Sequence, residues 1–402
     1  MKGTVRRSWL FGAALCFLAL ILLLGAVGCG GEETTTSAAT AEPLVIGAAM
    51  GMIGDAAAGD VPVSLALQYS VELLNEAGGV AGHPVELIIK DMKSDPALGA
   101  TVANELLDDG AQVIVGPAFP GMAVGVIQAA AARNVSVLAG CATQPEYTTV
   151  GGAKAYLVAF GDNVQAAAMA EYALEQGYRT VYTMVSPDLS YTAKLPVFFS
   201  EVFTQGGGEE IGTDTFSIGQ QDFQAQVTKI AGLPTQPDCI YTGMFVPDVG
   251  VFLKQLRAAG VTAPLLGADG LDQQPLIDLA GEDCEGTAFS THGFASPGSK
   301  LADYVAGFTE WNGGKPPEAN AFAGLGADCI AIIKAAVEAA GSVDPAAIGE
   351  ALGNIENLEV VTGTITYKGT NGIPMKTVTV AAVENGKFVL KEQFVPTNIP
   401  TP

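Results

Sequence analysis

The sequence predicts an α/β protein made of two doubly wound parallel-sheet lobes. Three observations carry that expectation. From Leu44 onward short apolar runs alternate with amphipathic helical spacings; the alternation comes in two successive series; and 49% hydrophobic residues against only 15% charged supply ample core for a chain of 402 residues.

Leu44 to Met50 is a buried strand, Val61 to Ala77 has helical apolar spacing and stops at Gly78-Gly79, and Val85 to Lys90 is a second strand. Ser94, before Asp95-Pro96, is expected to cap a helix that runs through Asp109, with proline in its first turn and Gly110 as its stop. Val113 to Val115 and Val135 to Ala139 are strands around a helix from about Met122 to Arg133. Strands separated by helices of this length imply right-handed parallel crossovers. The second series begins near Asn163: helix Asn163 to Gln176, strand Thr180 to Val185, helix Tyr191 to Gln205, helix Gln221 to Ala231, strand Cys239 to Thr242, helix Val246 to Ala259 and strand Leu265 to Gly267. Two helices follow, Lys300 to Asn312 and Ala319 to Ala340, and the chain ends in β-rich segments at Val360 to Tyr367, Lys376 to Val383 and Lys387 to Val395. Open α/β sheets bind ligands beyond the carboxyl ends of their strands, so two facing sheets make a cleft.

Composition narrows the function. With 42 acidic and 19 basic residues the formal charge is -23, which repels phosphate backbones and anionic lipid surfaces. His83 and His292 are the only histidines; neither has a second ligand nearby in sequence, and both read as structural. No Gly-x-Ser-x-Gly elbow occurs, and Gly206-Gly207-Gly208 lacks a following Lys-Ser or Lys-Thr, so it is a turn and not a phosphate cradle. The expectation is a non-enzyme without cofactor or metal. Cys141, Cys239, Cys284 and Cys329 show no CxxC spacing. A Cys239–Cys284 disulfide, with both taken as strand starts, stays open beside free buried thiols.

The N-terminus reads as a leader. Lys2, Arg6 and Arg7 precede an uncharged apolar run from Trp9 to Val27, and Ala26-Val27-Gly28-Cys29 puts small residues before a cysteine. An uncleaved transmembrane anchor is the alternative by length. The ending resembles the lipobox of bacterial lipoproteins, which implies a lipid on Cys29 and cleavage before it. Residues 30 to 43, small and polar without periodicity, form a flexible tether.

Several stretches then fall in a specific order: Gly47-Ala48-Ala49, the Leu74-to-Gly82 turn, Asp91 with Ser94-Asp95-Pro96, Val115-Gly116-Pro117, Ala142-Thr143 with Pro145-Glu146-Tyr147-Thr148, and Leu256-Arg257-Ala258-Ala259-Gly260. From Leu44 to about Val395 the chain resembles the solute-binding proteins of branched-chain amino acid ABC transporters, with their type I periplasmic-binding fold. The resemblance implies lobes joined by a three-crossing hinge near Gly161-Asp162, Ser290-Thr291 and Ile373. The organisation expected is signal peptide 1–28, tether 29–43, lobe one 44–161 and 291–373, and lobe two 162–290 with the strands and tail of 374–402. Asp91 and Asp95 are read as caps of backbone amides rather than site residues.

The resemblance also implies the ligand contacts. Pro120 occupies the place of a hydroxyl residue that holds the ligand carboxylate, yet has neither hydroxyl nor amide hydrogen to give. Cys141, Ala142 and Thr143 stand where backbone groups and a threonine hydroxyl hold an amino acid's charged groups. From the other lobe Tyr191 and Phe245 align with aromatic cover; Asp269, followed by Gly270, replaces a glutamate that pairs with the ammonium; and Ala58 opens a position often aromatic. The implied partners are a small-molecule ligand (an amino acid or related amide or carboxylate) and an ABC permease, with membrane contact only through the lipid anchor and an extracytoplasmic location. Hinge closure on the ligand would be the mechanism. The alternative is a lipid-anchored sensory receptor of the same fold.

Overall fold

Fully buried apolar strands set the first sheet. β1 (Leu44–Met50) is buried at every position, as a strand covered by helices on both faces must be. It pairs in parallel with β2 (Val85–Asp91) on one side and β3 (Val113–Val115) on the other; β4 (Ser136–Ala139) and β5 (Ala155–Leu157) continue in parallel, in the order β2-β1-β3-β4-β5. Three crossover helices connect them: α1 (Ala57–Glu76), α2 (Gly99–Asp108) and α3 (Pro120–Ala132). The computed structural model describes residues 41–150 and 154–402. The expected leader, Cys29 and most of the tether lie outside the described residues.

Local chemistry departs from expectation at the start of the second crossover. Asp95, not Ser94, caps the 3₁₀ turn Pro96–Leu98 that leads into α2, accepting from the Ala97 amide at 2.9 Å. Ser94 has a positive φ and instead ties the loop after β1, donating to the Ile53 carbonyl at 2.6 Å and accepting from the Ala56 amide at 3.1 Å. Asp91 accepts from the Met52 and Lys93 amides. The stop of α1 needs Gly79: φ is +81°, and an added Cβ would lie 2.0 Å from the His83 carbonyl oxygen.

The second sheet repeats the topology. α4 (Asp162–Glu175) leads to β6 (Thr180–Val185); α5 (Ser190–Gln205), β7 (Glu209–Thr215), α6 (Gln224–Ala231), β8 (Cys239–Thr242), α7 (Asp248–Ala258), β9 (Leu265–Gly267), α8 (Gln274–Ala280) and β10 (Ala288–Thr291) follow. The parallel strands stand in the order β10-β9-β8-β6-β7, the same winding as the first sheet. Cys284 closes a 3₁₀ turn, Gly281–Cys284, ahead of β10 rather than starting a strand, and Cys141, Cys239, Cys284 and Cys329 are all free and buried.

The chain then returns to the first sheet. α9 (Lys300–Trp311), α10 (Asn320–Ala340) and α11 (Pro345–Gly353) pack there, followed by a small antiparallel pair, β11 (Leu358–Val360) and β12 (Gly363–Ile365). α10 is long and apolar enough to cross a membrane, but 78% of its most apolar window is buried, and Leu325, Cys329 and Ile332 belong to the core of the first sheet. β13 (Val378–Glu384) and β14 (Lys387–Phe394) finally add antiparallel to β10 of the second sheet. The chain thus passes between the sheets three times, after β5, after β10 and before β13. A buried pair, Lys376 to Asp328 at 3.4 Å, sits at the third passage with Thr362 between them. Such a pair is tolerated only because hydrogen bonds satisfy the carboxylate, here from the Val361 and Thr362 amides.

Candidate ligand-binding cleft

The carboxyl ends of seven strands, three from the first sheet and four from the second, contribute to one cavity of about 330 Å³. From the first sheet come Gly54, Asp55 and Ala58 after β1, Ala118 and Phe119 after β3, and Cys141, Thr143 and Gln144 after β4. The second sheet supplies Leu189 and Tyr191 after β6, Ile218 and Gln221 after β7, Phe245 and Asp248 after β8, and Asp269, Gly270 and Gln273 after β9. β1 and β3 are the neighbours at which the strand order reverses, the place where doubly wound sheets open a crevice. Apolar and aromatic walls with a few convergent polar groups are the usual make-up of a small-molecule site.

Asp269 organises the second-sheet wall. Its Oδ1 accepts from the Tyr191 hydroxyl at 2.8 Å and from Gln165 Nε2 at 2.9 Å, and its Oδ2 lies 3.1 Å from His292 Nε2. Gln165 closes the circuit, its Oε1 accepting from the Asp269 amide and the Ser290 hydroxyl. Burial, the dominant influence, lowers the pKa of His292 and favours the neutral ring. With Nε2 donating to Asp269, Nδ1 is left as an acceptor without a protein partner among the described residues. His292 is therefore structural in a specific sense: it buttresses the carboxylate. The Tyr191 hydroxyl also accepts from the Gly270 amide at 3.0 Å, and burial first, then Asp269 and Asp162, push its pKa well up. Its ring stacks on Phe245 with centroids 4.8 Å apart. Gly270 is required for this approach, since an added Cβ would fall 2.9 Å from Phe245.

On the first-sheet side, Thr143 lines the cavity and its backbone carbonyl accepts at 2.7 Å from the amide of Asp162, the residue at the first passage between sheets. Burial raises the pKa of Asp162 to about 7 although its Oδ1 accepts from Gln165 Nε2 at 2.9 Å. Asp60, in α1, is also lifted to about 7 by burial although its Oδ2 accepts from the Gly51 amide at 2.8 Å. The Cys141 thiol is pushed well up, first by burial and then by Asp60, so it presents a neutral, weakly polar surface.

Two of the residues expected at the site do not line the cavity. Pro120 is the first residue of α3, where its missing amide hydrogen costs nothing, and the side chain that reaches the cavity is Phe119. Ala142 is 1% exposed and its methyl belongs to the first core. Cys141, Thr143, Tyr191, Phe245, Asp269 and Gly270 all line it, and so does Ala58. The sequence reading passed over Phe119, Gln144 and Phe322. Phe322 comes from α10, far away in sequence, and only the packing of α10 against the first sheet brings it near.

The two walls touch. The Phe119 and Phe245 rings meet edge to face with centroids 6.1 Å apart, Glu146 accepts from the Ser190 hydroxyl, and Lys194 lies 3.8 Å from Glu146. Ligand-sized space is thus enclosed between surfaces that contact each other at its rim.

A family model described as "Periplasmic binding protein" matches residues 43–387. The Leu/Ile/Val-binding protein homolog 3 of Brucella melitensis is 29% identical over 371 residues, which cover 91% of this chain and 98% of that one. Among solved structures, the leucine binding protein LivK of Thermotoga maritima superposes with a TM-score of 0.77 at 28% identity, covering 88% of this chain and 99% of that one. A solute binding protein of an R. palustris ABC transporter, solved with benzoate, gives a TM-score of 0.76 at 20% identity over 88% of this chain and 97% of its own, a likeness of fold.

Proposed function

Because this chain belongs to the periplasmic binding protein family and has its type I fold, we propose that it captures an amino acid or related small polar solute outside the cytoplasm and delivers it to an ABC permease. The observation that carries the proposal is the cavity built from the carboxyl ends of both sheets, with Thr143 and Phe119 on one wall and Tyr191, Phe245 and Asp269 on the other. The two sheets act as lobes, and the three passages between them act as the hinge. A solute bridging both walls makes contacts that exist only when the lobes are closed, and that differential affinity shifts the population toward the closed form. The branched-chain amino acid relatives support an amino acid as cargo, and the Asp269 carboxylate supports a cationic group on it. The Cys29 lipid and the tether would hold the receptor at the cell surface; mass spectrometry of membrane-extracted protein should find Cys29 acylated, and a free thiol there would remove the anchor.

The test of capture is a thermal-shift screen of amino acids, amides and small aromatic acids, followed by small-angle scattering. A cognate solute at a hundredfold excess over its dissociation constant should stabilise the protein by about 2.7 kcal/mol, and scattering should record a smaller radius of gyration. A solute that stabilises the protein without any compaction would remove hinge closure.

A further inference from the structure

We infer that the second-sheet wall carries a proton site coupled to the solute site: a cationic solute arriving at Asp269 expels one proton from the neighbouring carboxyl of Asp162, so capture weakens as the surroundings acidify. Resting on the cationic cargo proposed above, this coupling gives the receptor a second, regulating ligand.

Gln165 is the geometric reason. Its Oε1 accepts from the Asp269 amide and the Ser290 hydroxyl, which fixes the orientation of the carboxamide. Nε2 is thereby turned to two carboxyls at once, Asp162 Oδ1 and Asp269 Oδ1, each at 2.9 Å. Two oxygens that share one nitrogen cannot lie further apart than twice that distance, and Asp162 and Asp269 are 1% and 3% exposed. Like charges so close and so dry do not both ionise readily. Burial first, with Asp269 adding to it, raises the pKa of Asp162 to about 7. Three donors, from Tyr191, Gln165 and His292, converge on Asp269, so the proton of the pair sits on Asp162.

No cation of the protein relieves the pair. Among the described residues neither carboxyl has a Lys or Arg within ion-pair distance; Lys194 faces Glu146, and Lys376 faces Asp328. The other titratable groups around the two are acidic or neutral. Asp272 follows β9, Glu146 and the Cys141 thiol follow β4, the Tyr191 hydroxyl comes from α5 and the Tyr241 hydroxyl from β8, and burial favours the neutral ring of His292 after β10. The described cavity lining holds no Lys, Arg or His either. An ammonium on the solute is then the countercharge that lets both carboxyls ionise. Asp269 lines the cavity and Asp162 does not, so Asp162 responds to the solute through Asp269 and Gln165 without touching it. Asp162 and Gln165 stand in the first turn of α4, which packs on the second sheet beside the strand end that carries Asp269. The pair therefore does not depend on contact between the two walls.

The experiment is isothermal calorimetry on the purified protein with L-leucine, L-isoleucine and L-phenylalanine, whose ammonium groups do not titrate between pH 6 and 8. At pH 7, heats compared in phosphate and in MOPS, buffers of different ionisation enthalpy, should report release of about half a proton per solute. A proton lost on binding makes affinity climb with pH, so from pH 8 down to pH 6 it should fall about tenfold. Asp162→Asn, fixed neutral with an acceptor left for Gln165, should release no proton and bind equally at pH 6 and 8, no more tightly than wild type does at pH 6. Asp272→Asn, outside the shared donor, should release protons as wild type does. Equal heats in the two buffers, wild-type affinity that is flat from pH 6 to 8, or release that survives in Asp162→Asn would each overturn the coupling while solute capture stands. The first two are read on wild type, so they decide the matter even where a variant fails to fold. If none of the three amino acids binds, amino-acid capture falls and the coupling falls with it.

Discussion

The Tyr191 hydroxyl does two jobs at once, donating to Asp269 and accepting from the Gly270 amide. Both partners are buried, with Asp269 3% exposed. Tyr191→Phe keeps the ring stacked on Phe245 but strips a donor from the carboxylate and leaves the Gly270 amide without its acceptor. An unpaired buried polar group costs about 1 to 3 kcal/mol, so the unfolding free energy from urea titration should fall by that amount and affinity for the cognate solute should drop with it. Unchanged stability in Tyr191→Phe would mean that water replaces the hydroxyl and that the Asp269 circuit is not preorganised. Asp269 itself illustrates what sequence could and could not say. The family resemblance, which sets it where relatives carry a glutamate, implies a cleft residue there. That Gln165, Tyr191 and His292 converge on it from three elements depends on packing that no local pattern encodes, which is why His292 read only as a structural residue.

Glu146 lies in the 3₁₀ turn that follows β4, whereas Ser190 and Lys194 open α5 across the cleft. This rim contact joins two elements that share no core, so it should bias closure without supporting either sheet. Exposed ion pairs are worth about 0.2 to 1 kcal/mol. Glu146→Ala should accordingly weaken solute binding by less than about fivefold, leave the melting temperature unchanged, and raise the radius of gyration of the empty protein. A scattering profile identical to wild type would remove the rim contact as a closing element. At this level much was legible: the strands Leu44–Met50, Thr180–Val185, Cys239–Thr242 and Leu265–Gly267 have the limits that their apolar runs suggest. The strand β7 escaped notice because Glu-Glu-Ile-Gly-Thr-Asp-Thr is a polar edge with little apolar signal. β5 is three residues long, and α8 and α11 are short helices beginning at or next to proline, too brief for a 3.6-residue period to declare itself. Phe119 and Gln144 were hidden differently. They belong to loops whose direction is set by the helix or turn that follows, and the resemblance implied their neighbours Pro120 and Ala142 instead.

Buried carboxyls give the folded molecule a definite response to pH. Asp60 has its pKa raised from 3.8 to about 7, chiefly by burial. The folded state therefore holds this proton more tightly than the unfolded chain; the resulting stability is complete below about pH 4 and is lost as pH rises to about 7. His292, with its lowered pKa, works in the opposite sense below its ordinary 6.5, but it is common to wild type and an Asp60 variant and cancels in their difference. Melting temperatures of Asp60→Asn and wild type, taken from pH 4 to 8, should diverge in favour of the variant as pH rises and level off above 7, with an upper bound of roughly 4 kcal/mol. A difference independent of pH would show that Asp60 does not titrate in that window. The three passages of the chain between the sheets bear on how the molecule is made as well as how it works. β5 ends at Leu157, but the helix that covers this sheet, α10, starts only at Asn320, and the second sheet waits for β14, which ends at Phe394. At the usual rate of synthesis the interval between β5 and α10 lasts roughly ten to thirty seconds. Throughout that time the first sheet lacks the α10 side of its core and the second lacks its antiparallel edge, so both halves are still incomplete. A polypeptide that completes nothing until its last strands emerge stays threadable, and one bound for the far side of a membrane gains from arriving there unfinished.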